Sequence, residues 1–266
     1  LTSSPVPPRR SRLSSATRLA VRRLLHQLAR VGLRGRSRRY AVDPGVTALV
    51  LAPHSDDETL GCGGLLFRKR AAGASIAVAY LTDGSASHPD HPTLTPAALA
   101  AQRQDEARQA MRLLGVADRD LHFLNLRDGT LADLDPTAAR DAIDRIGRVL
   151  QQVQPAEIFL PCRQDGSSEH NAAFLLVQRA LALAGLRPRV LEFPVWSWWN
   201  PLLLAKPLVT SRQVWRLDFH DDKAVKEKAL ACYKSQVTAL LPGTQPMLSE
   251  EFLSFFSHGE DFFLTS

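Results

Sequence analysis

With 266 residues, 45% apolar and 23% charged, the chain has the composition of a soluble globular protein. Its length suits one large α/β domain or two small ones. No apolar run approaches the roughly 20 residues that cross a bilayer. Three isolated cysteines, Cys62, Cys162 and Cys232, exclude a disulfide framework or a Cys-x-x-Cys zinc site and point to a reducing, cytoplasmic setting. The net charge of +6 is unevenly placed: residues 1–42 hold eleven arginines and no acid, and the remainder carries 22 basic against 27 acidic residues.

Residues 1–16, rich in Pro, Ser and Arg, read as disordered. From Ala16 to Val31 the spacing predicts a helix, with Val21, Leu24, Leu25, Leu28 and Val31 on one face, arginines opposite, and Gly32 and Gly35 ending it. Such a helix either docks on the domain with a solvated basic face or lies at an anionic membrane surface. Nucleic acid is the weaker partner, because no aromatics interleave the arginines. An Arg-rich, acid-poor start also suits a targeting peptide, and the chain opens on Leu1 as a fragment or a processed chain would.

After Asp43-Pro44-Gly45, strands are expected over Thr47–Ala52, Ser75–Leu81, Leu121–Leu124, Glu157–Pro161 and Arg189–Phe193. Helices are expected between them over Leu60–Ala72, Pro96–Leu114, Pro136–Val153 and His170–Ala184. This alternation predicts an α/β fold, a mostly parallel sheet with helices on both faces, whose ligands bind beyond the carboxyl ends of the strands. Polar clusters fall at four such ends: His54–Glu58, Thr82–Gly84, Arg127–Gly129 and Asp165–His170. Further on, Val214–Phe219 suggests an added strand. Asp221–Gln236 suggests a helix with Lys223, Lys226 and Lys228 at its surface, and Phe252–Phe256 with Phe262–Leu264 an apolar tail covering a sheet edge or one end of the core.

The densest cluster is Pro53-His54-Ser55-Asp56-Asp57-Glu58. Three adjacent carboxylates repel one another unless a divalent metal or a helix N-terminus compensates them. His54 and Asp57, three apart at a strand-to-helix turn, can aim at one ion, and a carboxylate beside it suits a general base. Capping of the helix start is the plainer reading. Gly61-Cys62-Gly63-Gly64 also suggests a phosphate loop, but the preceding carboxylates would repel an anion, so the glycines are read as permitting close helix–sheet packing.

The hexapeptide resembles the Pro/Ala-His-Pro-Asp-Asp-Glu signature of the PIG-L/LmbE-like N-acetylglucosaminyl deacetylases. Thr82-Asp83-Gly84, Arg103-Gln104-Asp105-Glu106 running to Leu114-Gly115, Phe123 to Gly129 and Lys228 to Gln236 resemble later family motifs in the same order. The resemblance covers about residues 46–236, leaving residues 1–42 as a basic arm and 43–266 as the expected deacetylase domain. It implies a Rossmann-like, zinc-dependent hydrolase that removes acetyl from an N-acetylglucosamine-type substrate, with one Zn2+ per chain.

Carried over by position, the resemblance makes His54, Asp57 and His170 the metal ligands and Asp56 the base. It places Arg103 and Asp128 against sugar hydroxyls. Ser167 stands where the family has a histidine implied to stabilise the oxyanion. His88-Pro89-Asp90-His91, in the loop after the second strand, makes His88 and His91 candidates for the missing oxyanion or acid partner. His91 is also an alternative third ligand to His170. Trp196, Trp198 and Trp199 suit either sugar stacking or core packing. Two alternatives remain: a hydrolase of another N-acyl amide, and a non-catalytic module held at a membrane surface by its basic arm.

Overall fold

The structure is a computed structural model that describes residues 15–163, 165–204 and 213–265. The disorder expected for residues 1–16 lies almost wholly outside these. Eight strands form one sheet: β1 (Ser37–Arg39), β2 (Ala48–Ala52), β3 (Ile76–Thr82), β4 (Leu121–Leu126), β5 (Glu157–Pro161), β6 (Arg189–Phe193), β7 (Gln213–Asp218) and β8 (Glu260–Thr265). Their order is β1-β7-β8-β6-β5-β2-β3-β4, parallel throughout except for β8, which runs antiparallel to both neighbours.

All five residues of β2 and all seven of β3 are buried, because helices cover both faces. Alternate residues serve opposite cores. Val50, Ala52, Val78 and Tyr80 pack on one side with Leu65 and Phe263. Leu49, Leu51, Ala77 and Ala79 pack on the other with Ile146 and Val177. The chain leaves β2 toward β3 and β4, then returns to place β5 on the other side of β2. The crevice at that reversal is where open parallel sheets bind ligands.

The helix after β2, α2 (Asp57–Ala71), begins three residues before the expected Leu60, so the acidic cluster occupies its first turn. Its glycines do permit close packing. A Cβ on Gly61 would lie 2.0 Å from the Phe193 ring, and one on Gly64 would lie 2.1 Å from Phe219. Helices α3 (Pro96–Leu113) and α4 (Pro136–Val153) start on side-chain caps from Thr95 and Asp135, each followed by a proline. Helix α5 (Ser168–Ala184) starts on Ser167, whose hydroxyl accepts the His170 amide at 3.4 Å.

Helix α1 (Ser15–Arg36) overrides both glycine stops, ending only where the chain joins the sheet edge as β1. Its orientation is also the reverse of the one expected for a helix docked by its apolar face. The docked side carries His26, Ala29 and Leu33, while Val21, Leu24, Leu28 and Val31 are exposed. Several arginines turn inward instead: Arg30 and Arg34 pair with the buried Glu260, and Arg22 with Glu251. Apolar periodicity identifies a shared face, but the body offers α1 carboxylates as well as apolar groups, and ion pairing set the rotation.

The C-terminal expectations change most. Phe262–Leu264 is no cover but part of β8, inserted between β6 and β7. The expected helix over Asp221–Gln236 breaks into Lys223–Leu230 and Lys234–Val237. Lys226, expected at the surface, is buried: its ammonium donates to the Leu60 carbonyl at 2.7 Å and to Asp261 of β8 at 2.8 Å. A buried ammonium requires such partners. No helix among the described residues is long and apolar enough to cross a membrane.

Candidate metal centre

The turn from β2 into α2 is built around a strained residue. Asp56 has φ 139°, outside the region that side chains ordinarily adopt. Its carbonyl accepts the Thr59 and Leu60 amides, opening the helix, and its own amide donates to Glu58 at 3.0 Å. Glu58 is fully buried and is held by the Tyr233 and Thr59 hydroxyls. Glu58 thus ties the strained turn to the Lys228–Gln236 segment, nearly 180 residues away.

Three donor atoms converge at the crevice: His54 Nδ1, Asp57 Oδ2 and His170 Nε2, all within 4.8 Å of one another. Asp57 Oδ2 lies 3.2 Å from the first nitrogen and 3.3 Å from the second. His170 Nε2 is buried with no hydrogen-bond partner, an unusual state for a buried polar atom.

The remaining nitrogens are held by carboxylates. His170 Nδ1 lies 2.8 Å from Asp165 Oδ2, and His54 Nε2 lies 2.6 Å from Glu169 Oε2. With each held nitrogen carrying the proton, the converging nitrogens keep their lone pairs. This is the outer arrangement typical of metal-ligating histidines. The orphaned nitrogen, the His/Asp/His donor chemistry and the carboxylate supports all fit a divalent metal such as zinc. Although burial disfavours its charge, the positive charge of protonated His170 and His54 holds Asp57 well below the usual carboxylate range, an attraction that a bound cation would supply in their place.

Asp165 and Glu169 were not singled out from the sequence. Asp165 is completely buried and accepts from the Val195, Trp196 and Ser197 amides and from the Ser197 hydroxyl. Glu169 also accepts the Leu131 amide. Their proximity to His170 in Asp165–His170 was the available signal, but pairing with particular ring nitrogens is a three-dimensional fact.

The expected base and substrate residues gather around these three donors. Burial, opposed by Arg103 and reinforced by Asp57, pushes the Asp56 carboxyl up to about 7. Arg103 is itself buried, donating to the Ser55 carbonyl at 2.7 Å, to Asp56 Oδ2 at 3.3 Å and to the Gly84 carbonyl at 3.3 Å. Asp128 places Oδ1 3.2 Å from His54 Nε2, and its Oδ2 accepts the Ala86 amide. Arg103 and Asp128 therefore position the centre as well as bordering its cavity.

That cavity, of about 480 Å3, has a polar floor of His54, Asp56, Asp57, Arg103 and Asp128. Ser167 and Asn200 lie at its side, and Trp196, Trp199, Leu203, Met247 and Leu248 supply an apolar wall. Trp198 is buried against Phe262 and His26 instead. Neither His88 nor His91 is among the lining residues. His88 contacts the Ser87 hydroxyl, and His91 Nδ1 accepts the Thr93 and Leu94 amides of its own loop.

A family model described as PIG-L, GlcNAc-PI de-N-acetylase, matches residues 49–181, half of the chain. The 1D-myo-inositol 2-acetamido-2-deoxy-alpha-D-glucopyranoside deacetylase of Kineococcus radiotolerans is 31% identical over 163 residues, covering 51% of this chain and 45% of that protein. The chain spans about half the length of the curated relatives it matches.

Among solved structures, the N,N'-diacetylchitobiose deacetylase of Pyrococcus horikoshii shares the fold at a TM-score of 0.58 and 20% identity, covering 86% of this chain and 82% of its own. The 4-carboxy-2-hydroxymuconate hydratase GalB of Pseudomonas putida shares it at 0.59 and 20% identity, covering 80% and 83%. The fold therefore carries more than one chemistry. The matched segment runs from β2 through α5 and contains the whole His54, Asp57 and His170 centre, and the chain belongs to the PIG-L family.

Proposed function

We propose that the protein is a zinc-dependent N-deacetylase acting on an N-acetylglucosamine-type amino sugar. The observation that carries this reading is the convergence of His54 Nδ1, Asp57 Oδ2 and the buried His170 Nε2, with His54 and Asp57 lining the cavity beside Asp56. One zinc ion, held by these three residues, would supply Lewis-acid polarisation of the amide carbonyl and a more acidic water.

The protein's own groups do the rest. Asp56 accepts the proton of the attacking water and returns it to the leaving amine, a role suited by a carboxyl poised near neutrality. Arg103 holds Asp56 by its guanidinium and fixes the carbonyls of the turn. Arg103 and Asp128 border the cavity where sugar hydroxyls would be oriented. A role for His88 or His91 at the oxyanion requires their loop to move inward; unchanged kcat in both alanine variants removes it. The apolar wall favours a second reading, an N-acyl group longer than acetyl or an apolar aglycone. The three cysteines are free thiols, which suits the cytoplasm, and residues 1–42 are the segment for peripheral contact with an anionic membrane.

Purified protein analysed for metal and assayed for amine release from N-acetylated and longer N-acylated glucosamine derivatives tests this. Release that is lost on chelation and restored by Zn2+ is expected. A metal-free protein that releases no amine from any of these sugars, with Zn2+ added, overturns it.

A further inference from the structure

The outward face of α1 presents Val21, Leu24, Leu28 and Val31, which are 45%, 55%, 60% and 66% exposed. Their spacing of three, four and three residues places them in one stripe about 15 Å long. A solvent-facing helix ordinarily carries polar residues there. The inward arginines are occupied by the body, as described for Glu251 and Glu260. Among the described residues, Arg23, Arg36 and Arg38 are exposed and have no carboxylate partner. On a helical projection, Arg36 lies about 100° to one side of the stripe and Arg23 about 120° to the other.

We infer that this face of α1 is a docking element for an anionic lipid surface, lying in the interface with its leucines and valines in the acyl boundary and its free arginines at headgroup phosphates. An apolar stripe flanked by cations on a helix too polar to span is the pattern of interfacial helices. Charge separates this occupant from a second copy of the chain. Helix α1 contains no Asp or Glu, so pairing two stripes would set arginine against arginine with no acid to relieve the repulsion. Nucleic acid would use the arginines but leave the aliphatic stripe in water.

The inward side of the same helix adjoins the candidate site. The Arg22 guanidinium stacks 3.6 Å over the Trp199 ring, which lines the cavity. Helix α1 also packs on the turn Pro201–Leu204, where Leu202 is 67% exposed and its neighbour Leu203 lines the cavity.

The test is flotation of the full chain with phosphatidylcholine vesicles with and without phosphatidylglycerol. It reads binding alone, so it stands or falls separately from the deacetylase reading. Binding at least fivefold stronger to the anionic vesicles, reduced by salt, is expected. Leu24→Glu/Leu28→Glu and, separately, Arg23→Glu/Arg36→Glu should each lower it at least fivefold with unchanged circular dichroism. No binding to anionic vesicles, or equal binding by both variants and the wild type, overturns the inference. So does a wild-type dimer in sedimentation velocity that Leu24→Glu/Leu28→Glu dissociates, which would make a second copy the occupant.

Discussion

Asp165 Oδ2 lies 2.8 Å from His170 Nδ1, and every oxygen of that carboxylate is fixed by donors from the segment after β6. With its proton on Nδ1, His170 turns the lone pair of Nε2 toward Asp57 Oδ2 and His54, where a metal would be held. Asp165→Asn would present an amide N–H to the ring and favour the tautomer that cannot ligate. Metal affinity should fall about 10–100-fold, measured by titration against a competing chelator. Unchanged affinity would remove Asp165 from the centre.

Asp56 is expected to react rather than to bind metal. Asp56→Ala should retain metal while kcat drops about 10²–10⁴-fold; His54→Ala and His170→Ala should lose metal. Metal analysis and amine release on the same preparations distinguish the two outcomes. An active, metal-replete Asp56→Ala protein would overturn the assignment.

The strained turn depends on a remote hydroxyl. In Tyr233→Phe, the buried Glu58 loses its Tyr233 donor and keeps Thr59 and the Asp56 amide. A cost of about 1–3 kcal/mol is expected from the weakened satisfaction of a buried acid, read by urea denaturation. A lowered kcat should accompany it, because Asp56 sits in the turn that Glu58 holds.

Gly64 is required for packing, not for conformation. Its Cβ would meet the Phe219 ring at 2.1 Å, so Gly64→Ala should destabilise by about 1–3 kcal/mol through overpacking. A thermal melt checks this, and an unchanged Tm would show that α2 shifts freely. Gly73, where a Cβ meets nothing within 4 Å, has positive φ and is a poor control; Gly147, with open space and no positive φ, is the better one.

Docking of α1 should weaken in acid. Burial, then His258 and Arg30, hold His26 down at about 4; its ring stacks on Phe255 at 4.3 Å. The unfolded chain binds this proton more readily than the folded one, so the contribution is full above about pH 6.5 and is lost as pH falls toward 4. At pH 5 the loss is at most about 2 kcal/mol. Hydrogen exchange of α1 between pH 7 and 5, after correction for intrinsic rates, should show the weakening, and His26→Phe should flatten it.

Much of the site was legible because its chemistry is local. His54, Asp56 and Asp57 follow one apolar strand within four positions, and a strand end can present them only at the sheet edge. His170 was reached through resemblance, and the structure sets it across the reversal between β2 and β5. The partners that orient it were harder to see. Asp165 and Glu169 differ from ordinary loop acids only in which ring nitrogen each one faces, and sequence spacing does not encode that.

Similar limits governed the fold. Strand–helix alternation is a local signal, and it determined a mostly parallel sheet. The insertion of β8 between β6 and β7 rests on pairing between residues from 42 to 72 apart, whose apolar pattern fits a covering tail equally well. Lys226 reads as a surface lysine until Asp261 arrives from that strand to compensate its charge.

The sequence by itself determined which chemical groups stand at the strand ends and which residues of α1 share a face, because both follow from backbone periodicity. Only the tertiary structure decided how those groups are protonated and which face of α1 meets water. Both depend on charged partners distant in the chain, whose energies arise only once folding has removed the intervening solvent.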